Sequence, residues 1–236
     1  MAQKKLVRFA ELNTFINVLQ YPENTQGTWT GFFKNAHPLV LELACGKGEY
    51  TVGLAELYKS KNFLGVDKKG NRLWVGAKKA IAHQLKNVAF LRIQIEQIEQ
   101  YFSAEEVDEI WITFPDPQLR ISKAKKRLTH PRFLRSYYQI LKPGGKLHLK
   151  TDSPDLYRFT KKVAAMYGCT VHHDVDDVYA EPGLPPELHI KTHYEGLDIA
   201  GSNRVHYFCF SLPEQMPSPA LDKILQAQLK DEAGMD

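Results

Sequence analysis

Short runs of β-branched and apolar residues alternate along this chain with stretches of helical period. Strands are predicted over residues 39–43, 62–66, 88–93, 109–114, 146–150, 170–175 and 205–212. Between them, Trp74, Ala77 and Ile81, then Leu134, Tyr137 and Leu141, then Leu156, Phe159, Val163 and Met166 recur at spacings of three and four, the period of a helix with one apolar face. Strands separated by helices imply a parallel sheet covered on both faces, because a parallel pair needs a crossover long enough to be a helix. The last two strands have no such helix between them and are expected to form a terminal antiparallel hairpin. The fold expected is α/β: a doubly wound, seven-stranded, mostly parallel sheet with helices on both faces. Residues 1–35, punctuated by Pro22, Gly27 and Gly31, read as an N-terminal arm. Residues 36–212 read as the domain proper, with a long Pro- and Gly-punctuated insertion over 176–204, and 213–236 as a polar tail.

Composition narrows the class. A chain of 236 residues, 43% apolar and 25% charged, fits one globular domain with small extensions. No run approaches the ~18–20 apolar residues of a membrane span, and Arg8 and Glu11 stand where a signal peptide would be apolar. A soluble cytoplasmic protein without membrane association, monomeric or homodimeric, is expected. Cys45, Cys169 and Cys209 include no CxxC pair, which argues against a disulfide framework or a structural zinc site. The histidine pairs His172/His173 and His189/His193 lack any HExxH or cysteine context, so no metal is expected.

The net charge of +4 changes the picture only when it is divided along the chain. Between Pro117 and Thr151 there are ten basic residues (Arg120, Lys123, Lys125, Lys126, Arg127, Arg132, Arg135, Lys142, Lys146 and Lys150) and no Asp or Glu. That leaves 21 basic against 27 acidic residues elsewhere, a net −6. A one-signed patch of this kind suits a polyanion, although a solvated loop and helix face would have the same composition.

The first predicted strand ends in Leu39-Val40-Leu41-Glu42-Leu43-Ala44-Cys45-Gly46-Lys47-Gly48 and enters a helix near Glu49. Doubly wound sheets bind ligands outside the carboxyl ends of their strands, where glycines let the backbone turn tightly against a ligand. A dinucleotide fold wants a third glycine where this chain has Thr51, and pyrophosphate disfavours the acidic Glu49 at a helix start. Glu42 suits a cationic ligand instead, such as a sulfonium with an amino-acid tail. The second strand ends in Gly65-Val66-Asp67, where an acid can accept both ribose hydroxyls. Glu42, Gly46, Gly48 and Asp67 together describe S-adenosylmethionine binding on a Rossmann-like, class I methyltransferase sheet, whereas the blander reading makes the two acids strand-end caps. Gln94, after the third strand, is placed to hydrogen-bond the adenine. In Phe114-Pro115-Asp116-Pro117, two prolines lock the backbone around one carboxylate at the sheet edge, either to fix Asp116 over the cofactor cleft or as a simple turn.

A set of motifs now lies in order: Leu41-Glu42-x-x-Cys45-Gly46-Lys47-Gly48-Glu49, Phe63-x-Gly65-Val66-Asp67-x-Lys69-Gly70, Phe114-Pro115-Asp116-Pro117, Lys126-Arg127-Leu128, Leu141-Lys142-Pro143-Gly144-Gly145, Lys150-Thr151-Asp152 and Thr192-x-Tyr194-Glu195. The chain resembles, across residues 36–211, the bacterial tRNA (guanine-N7-)-methyltransferase family. The resemblance implies that Glu42, Asp67, Gln94 and Asp116 line the methyl-donor site. It also implies that Arg120, Asp152, Thr192, His193, Tyr194 and Glu195 contact the guanosine or flanking RNA, with Ser122, Lys123, Lys125, Lys126 and Arg127 as an RNA-contact strip. Two positions depart from the family pattern: Gln94 stands where an acid is usual, and Gln118-Leu119-Arg120 replaces a Trp-containing segment ending in Lys.

The reaction this implies is methylation of guanosine N7 in the tRNA variable loop, with S-adenosylmethionine as donor, S-adenosylhomocysteine as product and tRNA as partner. Guanine N7 carries a lone pair and no proton, so no general base is required; orientation and stabilisation of positive charge are. Asp116 and Asp152 are the candidates for charge stabilisation, Asp116 foremost. Asp152 or Ser153 can also cap the next helix, with Pro154 in its first turn. Lys150 reads equally as a solvated strand-end residue. Two other functions compete: an RNA-binding module with a vestigial cofactor pocket, and an exocyclic-amine RNA methyltransferase, whose Asn/Asp-Pro-Pro-aromatic box differs in order from Phe114-Pro115-Asp116-Pro117.

Overall fold

Residues Leu39–Leu43 and Asn62–Val66 are buried at all five positions of each run, as strands covered on both faces must be. In the computed structural model, which describes residues 2–197 and 200–234, they are β2 and β3 of one sheet. The others are β1 (Val18–Gln20), β4 (Val88–Arg92), β5 (Val107–Thr113), β6 (Leu141–Thr151), β7 (Thr170–Val175) and β8 (His206–Ser211). Their order is β1-β4-β3-β2-β5-β6-β8-β7. From β1 to β6 all neighbours are parallel, and β8 runs antiparallel to both β6 and β7. The chain steps outward from β2 through β3 to β4, then returns to the other side of β2 as β5. This reversal is the topological switch point at which an open α/β sheet offers a ligand crevice.

The helices are α1 (Ala2–Leu12), α2 (Trp29–Phe33), α3 (Glu49–Leu57), α4 (Gly70–Ala82), α5 (Pro131–Ile140), α6 (Pro154–Met166) and α7 (Ala220–Gly234). Two apolar layers sandwich the sheet. Leu39, Leu41 and Leu43 face the layer shared with α5 and α6, whereas Val40 faces the one shared with α3 and α4. By the twofold alternation of a strand, Glu42 belongs to the α3 side.

The sheet has eight strands among the described residues, one more than the pattern predicts. The extra strand comes from the segment read as an arm: Val18 and Leu19 pair with Phe90 and Leu91, and Trp29 is buried with its Nε1 donating to the Tyr101 carbonyl (3.0 Å). Three residues are too few to show a period, which is why β1 escapes a reading by pattern. The segment read as a polar tail contains α7, held to the body by Leu225 in the core and by Asp222, which accepts from Arg135 Nη2 (2.8 Å). The predicted insertion carries only short 3₁₀ turns, Pro186–His189 and Glu195–Leu197, and its Asp198 and Ile199 lie outside the described residues. On α4 the buried stripe is Leu73, Ala77 and Ala80, while Ile81 is exposed. Trp74 turns toward α1 instead and donates its Nε1 to Glu11 (2.7 Å). No helix among the described residues is long and apolar enough to cross a membrane.

The turn between β2 and α3 is packed without slack. Gly48 has φ +68°, and a Cβ there would lie 2.4 Å from the ring of the fully buried Phe90. Gly144 has a similar φ of +73° but nothing within 4 Å. Gly48→Ala should therefore cost about 2–4 kcal/mol, combining left-handed strain with overpacking, and Gly144→Ala only ~1–2 kcal/mol. Urea unfolding of the two variants checks this difference.

Candidate active site

Because β1 to β6 are parallel, their carboxyl ends share one edge, and the loops that follow β2 to β6 line it. The β2 turn is built from alternate left-handed residues, Ala44 (φ +56°), Gly46 (+58°) and Gly48 (+68°). It is tied to the neighbouring tip by Asp67. The Gly46 N–H donates to Asp67 Oδ2 (3.0 Å), and the Lys69 N–H donates to Oδ1 (2.8 Å). Above Gly46 the turn is open: a Cβ there would meet nothing nearer than the Tyr194 ring, 3.8 Å away.

Glu42 occupies a different position from the one its sequence context suggests. Rather than offering a free carboxylate to a cation, it is 3% exposed and clamps three elements together. Oε2 accepts from the Thr51 N–H (2.7 Å) and from the Thr51 hydroxyl on α3, and Oε1 accepts from the Thr113 hydroxyl at the end of β5 (2.5 Å). Burial raises its pKa to about 7, against the lowering effect of these donors. Thr51, the residue that breaks the dinucleotide pattern, is thus Glu42's partner. Thr113 carried no signal in the sequence.

The loop after β5 is held in an uncommon conformation, with Phe114 (φ +44°) and Gln118 (φ +49°) both left-handed. The Phe114 N–H donates to the Lys150 carbonyl (2.8 Å). Asp116 is exposed on this loop, its Oδ1 accepting from the Gln118 N–H (3.1 Å). Gln94 is exposed two residues beyond β4, and its carbonyl accepts from the Gln97 N–H (3.0 Å).

The basic stretch does not form a single surface. Arg127, read as an RNA contact, is 6% exposed and turned inward, its guanidinium donating to the Pro117, Gln118 and Leu119 carbonyls and lying 4.4 Å over the Phe159 ring. Arg135 is paired with Asp222, Lys142 with Asp108 near the amino end of the sheet, and Lys150 is fully buried rather than solvated. What remains exposed beside the Asp116 loop is Arg120, Ser122, Lys123, Lys125 and Lys126, followed by Arg132 on α5. Of the ten basic residues counted between Pro117 and Thr151, Arg127, Arg135, Lys142 and Lys150 are thus engaged within the protein and do not add to this strip.

At the β6 tip, Ser153 is the helix cap, its hydroxyl accepting from the Leu156 N–H (3.2 Å) ahead of Pro154. Asp152, freed from capping, is half-buried and accepts from the Ala200 N–H (3.4 Å). Residues 192–195 lie along the edge between α3 and β6. The His193 N–H donates to Glu49 Oε2 (2.9 Å), while the His193 residue is exposed. Thr192 accepts from the Glu195 N–H (3.2 Å), and Tyr194 sits by Gly46 with the Arg72 guanidinium 5.7 Å from its ring. The Glu195 carboxylate does not face out toward a substrate; it pairs with Lys150 at 3.1 Å, with side-chain exposures of 5% and 0%.

The edge thus places the Glu42 clamp on Thr51 and Thr113 beside the separate Gly46–Asp67 tie and sets Tyr194 by the turn. A turn left open at Gly46, beside a strand-end carboxylate, fits a donor with ribose hydroxyls. Among the described residues no group of three or more His, Cys, Asp or Glu is placed to hold a metal ion. A cavity of about 680 Å³, lined by Gln26, Phe102, Ser103 and Arg135 among others, lies beside the start of β5 and contains none of these residues.

A family model described as "Putative methyltransferase" matches residues 36–205. The chain is 46% identical over 215 residues to the tRNA (guanine-N(7)-)-methyltransferase of Porphyromonas gingivalis, covering 86% of this chain and 87% of that protein. It is 42% identical over 224 residues to the tRNA (guanine-N(7)-)-methyltransferase of Bacteroides thetaiotaomicron, covering 91% and 88%. Among solved structures, the 16S rRNA methyltransferase KamB matches with a TM-score of 0.61 at 14% identity, over 83% of this chain and 96% of that one, a likeness of fold.

The raised pKa of Glu42 has a definite sign in stability. A folded-state value of about 7 against an unfolded value near 4.5 means that the native state holds the proton more tightly between those pH values. The contribution is full below pH 4.5 and is lost as pH rises through 7, by roughly 3 kcal/mol. Glu42→Gln retains an acceptor for Thr51 and should abolish that component. Urea titrations from pH 4.5 to 8 should show the variant gaining on the parent protein as pH rises; parallel curves would contradict the assignment.

Proposed function

The chain belongs to the bacterial tRNA (guanine-N7-)-methyltransferase family, and from that premise we propose that it transfers the methyl group of S-adenosylmethionine to N7 of a guanosine in the variable loop of tRNA. The observation that carries this reading is the junction at the switch point, where the open Gly46 turn is tied to Asp67 and faced by Tyr194. S-adenosylmethionine, when bound, supplies a methyl on a sulfonium; a new N7–C bond forms as the S–C bond breaks, leaving S-adenosylhomocysteine and a cationic 7-methylguanosine.

The chain's own residues have three tasks. Gly46, Asp67 and Gln94 would hold the donor: the turn by its lack of a side chain, the carboxylate by accepting ribose hydroxyls, the amide by hydrogen-bonding the adenine. Glu42 contributes through Thr51 and Thr113, by fixing the helix start and the β5 tip on either side of the turn. Asp116 is the proposed catalytic residue. Its loop is locked by Pro115 and Pro117 and by the Arg127 guanidinium, so the carboxylate needs little reorganisation. A carboxylate ~4 Å from charge developing on the purine contributes ~4 kcal/mol gross at an effective dielectric of 20. N7 carries no proton, so none of these groups has to act as a base.

The exposed strip Arg120, Lys123, Lys125 and Lys126 would hold RNA phosphates, with Asp152, Thr192 and Tyr194 nearer the guanosine. Four phosphate contacts imply an affinity loss of about a hundredfold between 50 and 200 mM salt, and each lysine replaced by alanine should reduce the log–log slope by about 1. Filter binding of tRNA across that salt range measures both.

The deciding experiment is incubation with labelled S-adenosylmethionine and unmodified tRNA, followed by location of the methyl by mass spectrometry. Label is expected at guanine N7. Asp116→Ala should lower kcat/KM by about a hundredfold, equivalent to ~3 kcal/mol of transition-state stabilisation, with its unfolding midpoint little changed. A protein that binds tRNA but transfers no methyl would favour the RNA-binding module, and label on an exocyclic amine would favour the other enzyme class.

A further inference from the structure

Lys150 is the one fully buried lysine of the basic stretch, and the reaction proposed above gives it no task. Its ammonium donates to the Ile190 carbonyl (3.0 Å) and to Glu195 Oε2 (3.1 Å). The rings of Tyr50 and Phe114 lie 5.5 Å away, and that of Tyr179 lies at 6.0 Å. Glu195 is satisfied in turn by the Tyr179 hydroxyl on Oε1. A lysine buried this way is costly unless it is paired and hydrogen-bonded, and burial does depress its pKa against the opposing pull of Glu195.

What the pair joins is specific. Lys150 stands at the carboxyl end of β6, next to the Phe114 loop, whereas Ile190 and Glu195 belong to the long segment between β7 and β8. That segment is also laid along α3: the Tyr50 hydroxyl donates to the Glu187 carbonyl (2.7 Å), and Gly53 leaves room for Ile190, which a Cβ would approach to 2.8 Å. Between these anchors, residues 192–195 cross the sheet edge and bring Tyr194 to Gly46.

We propose that Lys150 is a positioning residue whose buried ammonium, through Glu195, seats residues 190–195 over the glycine turn and so forms one wall of the guanosine subsite. Glu195 is then an internal counter-ion and not a substrate contact. The inference rests on the methyl-transfer reading above, but it makes a physical claim of its own: without the ion pair, the segment lifts from the edge. Lys191 is exposed and lies inside the segment, so trypsin reports on its release.

The test is a double-mutant cycle of Lys150→Met and Glu195→Ala on the full chain. Each single variant should cut after Lys191 at least about tenfold faster and lose at least about tenfold in kcat/KM for tRNA. Affinity for S-adenosylhomocysteine by calorimetry should change less than about threefold, because the Gly46–Asp67 tie does not pass through Lys150. The double variant should be no worse than either single one, since both remove the same interaction. Should Lys150→Met fail to fold, Glu195→Ala decides alone, because the Glu195 side chain, though buried against Lys150, lies in an irregular segment outside both apolar core layers. Parental transfer and Lys191 protection in folded Glu195→Ala, or losses that add in the double variant, would overturn the proposal. If the parent protein transfers no methyl, the functional reading fails while Lys191 protection still reports on the seating.

Discussion

The edge of this sheet depends on one buried carboxyl group. Glu42 sits on β2 opposite Trp111 of β5, and its oxygens take three donors from two directions: the amide and hydroxyl of Thr51 at the head of α3, and the hydroxyl of Thr113 at the end of β5. A carboxyl with fewer partners at 3% exposure would leave a polar group unsatisfied in a low-dielectric site. With three, it ties the head of α3 to the end of β5 across β2. The glycine turn above it, pinned sideways by Asp67, inherits its position from that tie.

The cations of the chain divide into two kinds, and the division matters more than their number. Arg120, Lys123, Lys125 and Lys126 are exposed together beside the Asp116 loop. Arg127 and Lys150 point inward and serve as internal anchors. Arg127 spreads its donors over the Pro117, Gln118 and Leu119 carbonyls, a task its planar, multi-donor head suits, whereas Lys150 brings a compact charge to one carbonyl and one carboxylate. Both anchor segments that lie outside the sheet and the α-helices.

Much of this was legible in the sequence. Five-residue apolar runs marked the central strands, and the spacing from Glu42 through Gly46 and Gly48 to Asp67 marked the β2 turn and the β3 tip, which the Gly46–Asp67 hydrogen bond joins. What escaped did so for physical reasons. β1 has three residues and shows no period, and α7 is amphipathic only weakly enough that Leu225 and Asp222 look like ordinary tail residues. The pairing of Lys150 with Glu195 spans 45 residues of irregular chain, and a count of charges does not distinguish a cation that meets solvent from one that holds a loop. The same limit applies to Glu42. Its spacing marked it as important, but only its neighbours on α3 and β5 show that its oxygens are already engaged.

Backbone strain at the edge leads to the same conclusion about rigidity. Ala44, Phe114 and Gln118 all hold positive φ values without being glycine, a conformation that costs free energy and persists only where the surroundings impose it. Each is imposed by a neighbour already described. Ala44 opens the turn fixed by Asp67. The Phe114 backbone N–H donates to the Lys150 carbonyl, and the Gln118 carbonyl accepts from Arg127 while its backbone N–H donates to Asp116. A loop able to relax would leave these conformations, so their presence at two adjacent tips indicates that both are overdetermined. An enzyme that aligns a nucleophile and a methyl group without moving a proton has orientation as its main resource. In this chain the means of orientation are the buried carboxyl and the two inward cations, none of which needs to touch the reacting atoms.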